Sequence, residues 1–129
     1  MTVAVPHILL VEDSALVSGA MRVLFEETGH RVTIASSAAE AIEAASAEAP
    51  DVMLLDLGLP DADGLTVLET LTARGLAPRR TIALTGDGDD ATIQRCRAAG
   101  CDEVLLKPVA PRELLRKVGE WSKADVADT

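Results

Sequence analysis

Glu12 and Asp13, Asp56, Thr85 and Lys107 are the residues of this chain whose types and spacing could do chemistry together. Each stands where an apolar run stops. "LLVED" closes on the acid pair, "VMLLD" on Asp56, "IALT" on Thr85, and "VLLK" on Lys107 with Pro108 next. An acid that ends one strand is by itself an ordinary turn residue, because its side chain bonds nearby backbone amides. The set together says more. Three carboxylates at close quarters raise one another's pKa unless a cation joins them. Lys107 supplies one positive charge and a divalent ion would supply the rest. With hard oxygen donors and no His or Cys among them, Mg²⁺ or Mn²⁺ is indicated over zinc. A site neutralised in this way accepts a further anion, notably a phosphoryl group. A carboxylate is a competent nucleophile toward phosphorus once the incoming charge is offset. The acyl phosphate so formed is labile, and water near the site could hydrolyse it.

For these residues to meet, the runs that carry them must lie side by side and point the same way. The runs are 7–11, 31–35, 51–56, 81–85 and 103–107, and most are apolar on consecutive residues. That pattern suits strands covered on both faces, hence a parallel sheet. Between them fall five helix candidates. Val17, Met21, Leu24 and Phe25 mark the first at helical spacing, with Gly29 as its stop. "SAAE" at 37–40 spells a capping box before the second. Leu65, Leu68 and Leu71 follow Gly64, and "DDATIQRCRAAG" opens on acids and closes on Gly100. The apolar stripe of that fourth helix is thin, chiefly Ile93 and Cys96, so it should be the least firmly packed. Pro111 opens the fifth, with Leu114, Val118 and Trp121 in register. Five strand–helix units predict one doubly wound α/β domain with right-handed crossovers, over residues 1–123, with 124–129 as a fraying tail. In such a sheet ligands bind beyond the carboxyl ends of the strands, where the strand order switches.

The bulk properties exclude other classes. The net charge of −9 argues against a nucleic-acid-binding face and against binding an anionic membrane. No stretch approaches the roughly 18 apolar residues of a membrane span, and the start "MTVAVPHILL" does not read as a signal peptide. Cys96 and Cys101 lie outside metal-ligand spacings, which suits reduced thiols in a cytoplasmic protein.

The segments "LLVEDS", "DVMLLDLGLPDADG", "IALTG" and "GCDEVLLKPV", in this order, resemble the receiver domain of two-component response regulators, over residues 7–121. The resemblance implies a flavodoxin-like five-stranded parallel sheet of order 2-1-3-4-5 with five helices. It makes Asp56 the acceptor of a phosphoryl group from a histidine kinase or histidine phosphotransfer domain. Glu12 and Asp13 become the Mg²⁺-holding pair, Asp13 directly and Glu12 through water, with the Gly58 carbonyl completing the set. Thr85 becomes the hydroxyl that swings onto the phosphoryl group, Lys107 the amine that pairs with it, and Pro108 the partner in a cis Lys–Pro bond. Asp87 falls where receivers tune phosphoryl lifetime. Val104 departs from the pattern, since Tyr or Phe is usual there; Val109 likewise replaces a common Phe. Output is expected by contact with a downstream protein, from a stand-alone regulator or from a receiver of a hybrid kinase.

Other readings fit less well. A haloacid-dehalogenase-type phosphatase wants a second Asp two residues after its nucleophile, where Gly58 stands. A flavin-binding module needs hydroxyls and amides in its first loop, and Glu12-Asp13 would repel the phosphate. An EF-hand built on Gly64 would begin on Leu59 and close on Thr70, neither a carboxylate. Asp61 and Asp63 are expected to shape a loop and cap the next helix, "GDGDD" at 86–90 to cap the fourth, and His7 and His30 to be structural.

Overall fold

Consecutive residues of a strand face opposite sides of a sheet, and here both sides are covered. A computed structural model describes residues 5–127, with side chains as far as Glu120. The strands are β1 (His7–Val11), β2 (Arg31–Ala35), β3 (Val52–Asp56), β4 (Arg80–Thr85) and β5 (Glu103–Leu106). They alternate with α1 (Ala15–Glu27), α2 (Ala38–Ala47), α3 (Leu65–Ala73), α4 (Asp90–Ala99) and α5 (Pro111–Ala127). Leu9, Val11, Met53, Leu55 and Ala83 pack with α2, α3 and α4. Ile8, Leu10, Val52, Leu54, Ile82 and Leu84 pack on the other side with Phe25 of α1 and Leu114 and Val118 of α5. The unbroken apolar runs in the sequence are the record of these two cores.

All pairings are parallel and the order is β2-β1-β3-β4-β5, the expected doubly wound, flavodoxin-like architecture. The chain leaves β1 for β2 on one side and returns to β3 on the other, so the order switches between β1 and β3. Val11 lies opposite Leu55, Asp56 opposite Leu84, and Thr85 opposite Leu106. That register brings the carboxyl ends of β1, β3, β4 and β5 to one rim.

Local chemistry sets the helix ends. Ser14 caps α1, its hydroxyl accepting from the Val17 amide at 3.3 Å. Asp89 caps α4 through the Thr92 amide at 2.8 Å. Gly100 closes α4 with φ of 105°, in the left-handed region that favours glycine. Two bonds complete a Schellman ending: Gly100 N–H to the Arg97 carbonyl at 3.1 Å, and Cys101 N–H to the Cys96 carbonyl at 3.0 Å. Two buried, free thiols, Cys96 and Cys101, belong to the same core cluster at the positions where this motif places its apolar contact. Burial pushes the Cys101 thiol up to about 12.

Packing follows the expected ranking. Helix α3 buries Leu65, Val67, Leu68 and Leu71, whereas α4 buries Cys96 alone. Helix α1 departs from its sequence pattern, because Val17 is 38% exposed and Leu16 is 85% exposed. Helix α5 continues to Ala127, past residue 123. Residues 128–129 of the expected tail at 124–129, and the side chain of Trp121, lie outside the described residues.

Candidate functional site

The tight turn after β3 depends on Gly64. A Cβ there would sit 2.3 Å from the Asp56 carbonyl oxygen and 2.8 Å from the Leu57 Cα, both backbone atoms. The start of α3 is thereby pressed against the end of β3, and Asp56 is held buried, 4% exposed, at the rim. One oxygen of its carboxylate, Oδ1, accepts the Gly58 amide at 3.0 Å. The other, Oδ2, meets the Lys107 ammonium at 2.8 Å. Lys107 also lies 3.7 Å from Glu12 Oε1. It follows β5, and its amide donates to the Thr85 carbonyl at 2.8 Å, which ties the lysine to the end of β4. The Lys107–Pro108 peptide is cis, as the resemblance implies.

Glu12, Asp13 and Asp56 each offer an oxygen to a common point, these atoms lying within 4.8 Å of one another. Glu12 and Asp56 are buried and Asp13 is exposed. Burial pushes the Glu12 carboxyl up to about 7, helped by its hydrogen bond to Asp56 and the repulsion between them. Asp56 moves the other way. Burial would raise it, but the hydrogen bond from Glu12, the Lys107 ammonium and the Gly58 amide outweigh that and hold it below its ordinary value. The proton therefore favours Glu12 over Asp56, and a cation bound between them would take its place. The donors are all hard oxygens, so the set fits a divalent ion of the Mg²⁺ type. Lys107 is raised: burial opposes its charge, and pairing with Asp56 more than compensates.

Thr85 is buried at the end of β4. Its hydroxyl accepts the Asp87 amide at 3.0 Å and donates to the Asp87 carbonyl at 3.3 Å. Thr85, Asp87 and Gly58 line the same cleft as Asp13, Asp56 and Lys107, a depression of about 520 Å³. Val104 is not among them. It is half-buried on β5, opposite Ala83 in register and packed against the α2–α4 core. Pro108 lies on the far side of Lys107, in an apolar groove with Leu16, Val17 and Met21 of α1.

The acids after β3 are turn and cap residues, with one surprise. Asp63 caps α3 through the Leu65 amide at 3.0 Å. Asp61 instead reaches across to α2, accepting from the Ala38 and Ala39 amides at 2.8 and 3.1 Å. His7 and His30 stay away from the rim, bonded to the Thr33 and Thr28 hydroxyls. Two cleft residues escaped the sequence reading. Thr92 and Arg95 line it from α4, and Arg95 pairs with Asp63 at 2.5 Å. Their i, i+3 spacing on the helix that follows Thr85 was the available signal.

The fold and rim define a doubly wound α/β domain whose switch point carries an acidic cluster paired with a lysine. The family model described as the response regulator receiver domain matches residues 8–119, and the chain belongs to that family. It is 34% identical over 111 residues to the transcriptional regulatory protein KdpE of Mycobacterium tuberculosis, covering 86% of this chain and 48% of that one. The chain thus spans about half the length of that curated relative. Among solved structures it is similar to a CheY-like receiver domain protein from Methanospirillum hungatei JF-1, with a TM-score of 0.87, 28% identity, and coverage of 98% of this chain and 100% of that one. It is also similar to the receiver domain of the sensor histidine kinase PA1611 from Pseudomonas aeruginosa PAO1, with a TM-score of 0.78, 29% identity, and coverage of 93% and 99%. That structure holds a magnesium ion in its active site cleft. Among the described residues, no helix is long and apolar enough to cross a membrane.

Proposed function

We propose that this domain takes a phosphoryl group onto Asp56 from a phosphohistidine of a histidine kinase or phosphotransfer domain, and that the modified form changes its protein contacts. The observation that carries the reading is the Asp56 carboxylate, buried and held ionised by Lys107 at 2.8 Å beside two further acids. In the transfer, an Asp56 oxygen bonds to phosphorus as the bond from phosphorus to the donor's imidazole nitrogen breaks, and the imidazole leaves with that electron pair. Mg²⁺ bound by Glu12, Asp13, Asp56 and the Gly58 carbonyl would offset the charge on the phosphoryl oxygens. Lys107 passes from the carboxylate to a phosphoryl oxygen. Thr85 gives up its bond to the Asp87 carbonyl and turns its hydroxyl onto the group, so the loop after β4 and α4 rearrange. Val104 lacks a ring, so this response runs through α4 more than through β5. Hydrolysis of the acyl phosphate by water resets the site. The acidic charge favours a protein target for residues 1–123, and the free thiols fit a reducing cytoplasm.

Intact-mass spectrometry with Mg²⁺ and acetyl phosphate tests the assignment. The wild-type protein should gain one phosphate, and Asp56→Asn should gain none. A normal adduct on that variant would overturn the role of Asp56. Lys107→Ala should still take up some phosphate but lose the accompanying change in its amide spectrum.

A further inference from the structure

Arg95 occupies a place that the proposed transfer leaves unused. Arg95 and Lys107 are the cations among the residues lining the cleft, against the carboxylates of Asp13, Asp56, Asp63 and Asp87. Lys107 is committed to Asp56. Arg95 is committed to Asp63, and Asp63 is fixed in turn by the Leu65 amide on its other oxygen. The arginine is 57% exposed and its partner 44%, so water screens their attraction and the pair is easily exchanged. A second depression, about 580 Å³ and lined by Leu65, Glu69, Arg95 and Ala99, adjoins it between α3 and α4. The side chain therefore has room to change partner. A guanidinium fork matches phosphate oxygens better than it matches a single carboxylate oxygen.

We propose that Arg95 is a second phosphoryl-holding cation: Asp63 latches it at the mouth of the cleft, and it moves to the phosphoryl oxygens when Asp56 is modified. This rests on Asp56 as the acceptor. Asp63 is then a positioning residue that acts through Arg95. Because Arg95 belongs to α4, its change of partner links the modified carboxylate directly to a helix that buries Cys96 alone. Arg95 gives and takes no proton in the step; with acetyl phosphate the bond from phosphorus to the acetate oxygen breaks and acetate leaves.

The test follows phosphate uptake by intact mass on the full chain with Mg²⁺ and acetyl phosphate. Arg95→Gln should slow uptake about three- to tenfold, the scale of one charge-assisted contact, and Arg95→Lys should recover part of the loss. Asp63→Asn keeps an oxygen for the Leu65 amide but releases the latch, so uptake should be faster than wild type. Added to Arg95→Gln, it should change nothing. Opposite signs for the two single variants are what a merely structural ion pair would not give. Equal slowing by both, or unchanged uptake in Arg95→Gln, would overturn the proposal while leaving Asp56 as acceptor. Absence of any adduct on the wild-type protein would sink both. Thermal melts accompany each variant; should Arg95→Gln fail to fold, Asp63→Asn decides alone, faster uptake supporting the latch and equal or slower uptake refuting it.

Discussion

Helices α3 and α4 border one cleft and are held in different ways. Helix α3 buries four apolar side chains, and its first turn is pressed onto the Asp56 backbone through Gly64. Helix α4 buries Cys96 alone and reaches the cleft through a loop capped by Asp89. One wall therefore shares the rigidity of the strand that carries the nucleophile, and the other can shift at small cost. Elements that move in a regulatory response come from the low-stability end of a structure. A signalling site needs both kinds of wall, one to aim the acceptor and one to report its state.

The contrast can be broken by truncation. Leu68→Ala in α3 should cost about 2–5 kcal/mol, the range for emptying a packed core position. Ile93→Ala in α4, where the side chain is only half-buried, should cost under about 1 kcal/mol. Urea unfolding measures both, and equal losses would contradict the asymmetry. The glycines offer a second comparison. Gly64→Ala forces a backbone shift and should cost about 1–3 kcal/mol. A Cβ on Gly86, on the α4 side, meets nothing within 4 Å, so Gly86→Ala should stay within about 0.5 kcal/mol.

The floor between the walls supplies a pH dependence. Without metal, Glu12 keeps its proton to about 7 in the folded protein, against an ordinary value of 4.5. Between those values the unfolded chain has lost a proton that the folded chain retains, so stability falls as pH rises. A change on the order of a few kcal/mol is expected across that window. Glu12→Gln should flatten the slope in urea titrations at pH 4.5 and 7. The finest distinction is in hydrogen exchange, where α4 amides should exchange about tenfold faster than those of α3.

Much of this was legible in the order of residues. Parallel strands buried on both faces leave consecutive apolar residues, and the acid, hydroxyl or amine that ends each run must fall on the common rim once the register is fixed. Asp56, Thr85 and Lys107 could be found that way. Asp61 could not, because its partners are amides of α2, more than twenty residues earlier. Arg95 was hidden for a related reason. Its facing depends on the path of the loop from Gly86 to Asp89, which no periodicity encodes. Val17 misled in the opposite sense: the apolar stripe of α1 is wider than the strip of sheet it covers, and the surplus lines the groove beside Pro108.

The thiol pair that closes α4 gives the molecule an internal clock. With Cys101 pushed up to about 12 and Cys96 shut beneath it, neither sulfur presents a thiolate to solvent at neutral pH while the last turn of α4 stays wound. Alkylation by iodoacetamide must then wait for that turn to unwind, so its rate counts the openings. Modification at Asp56 should change the tempo.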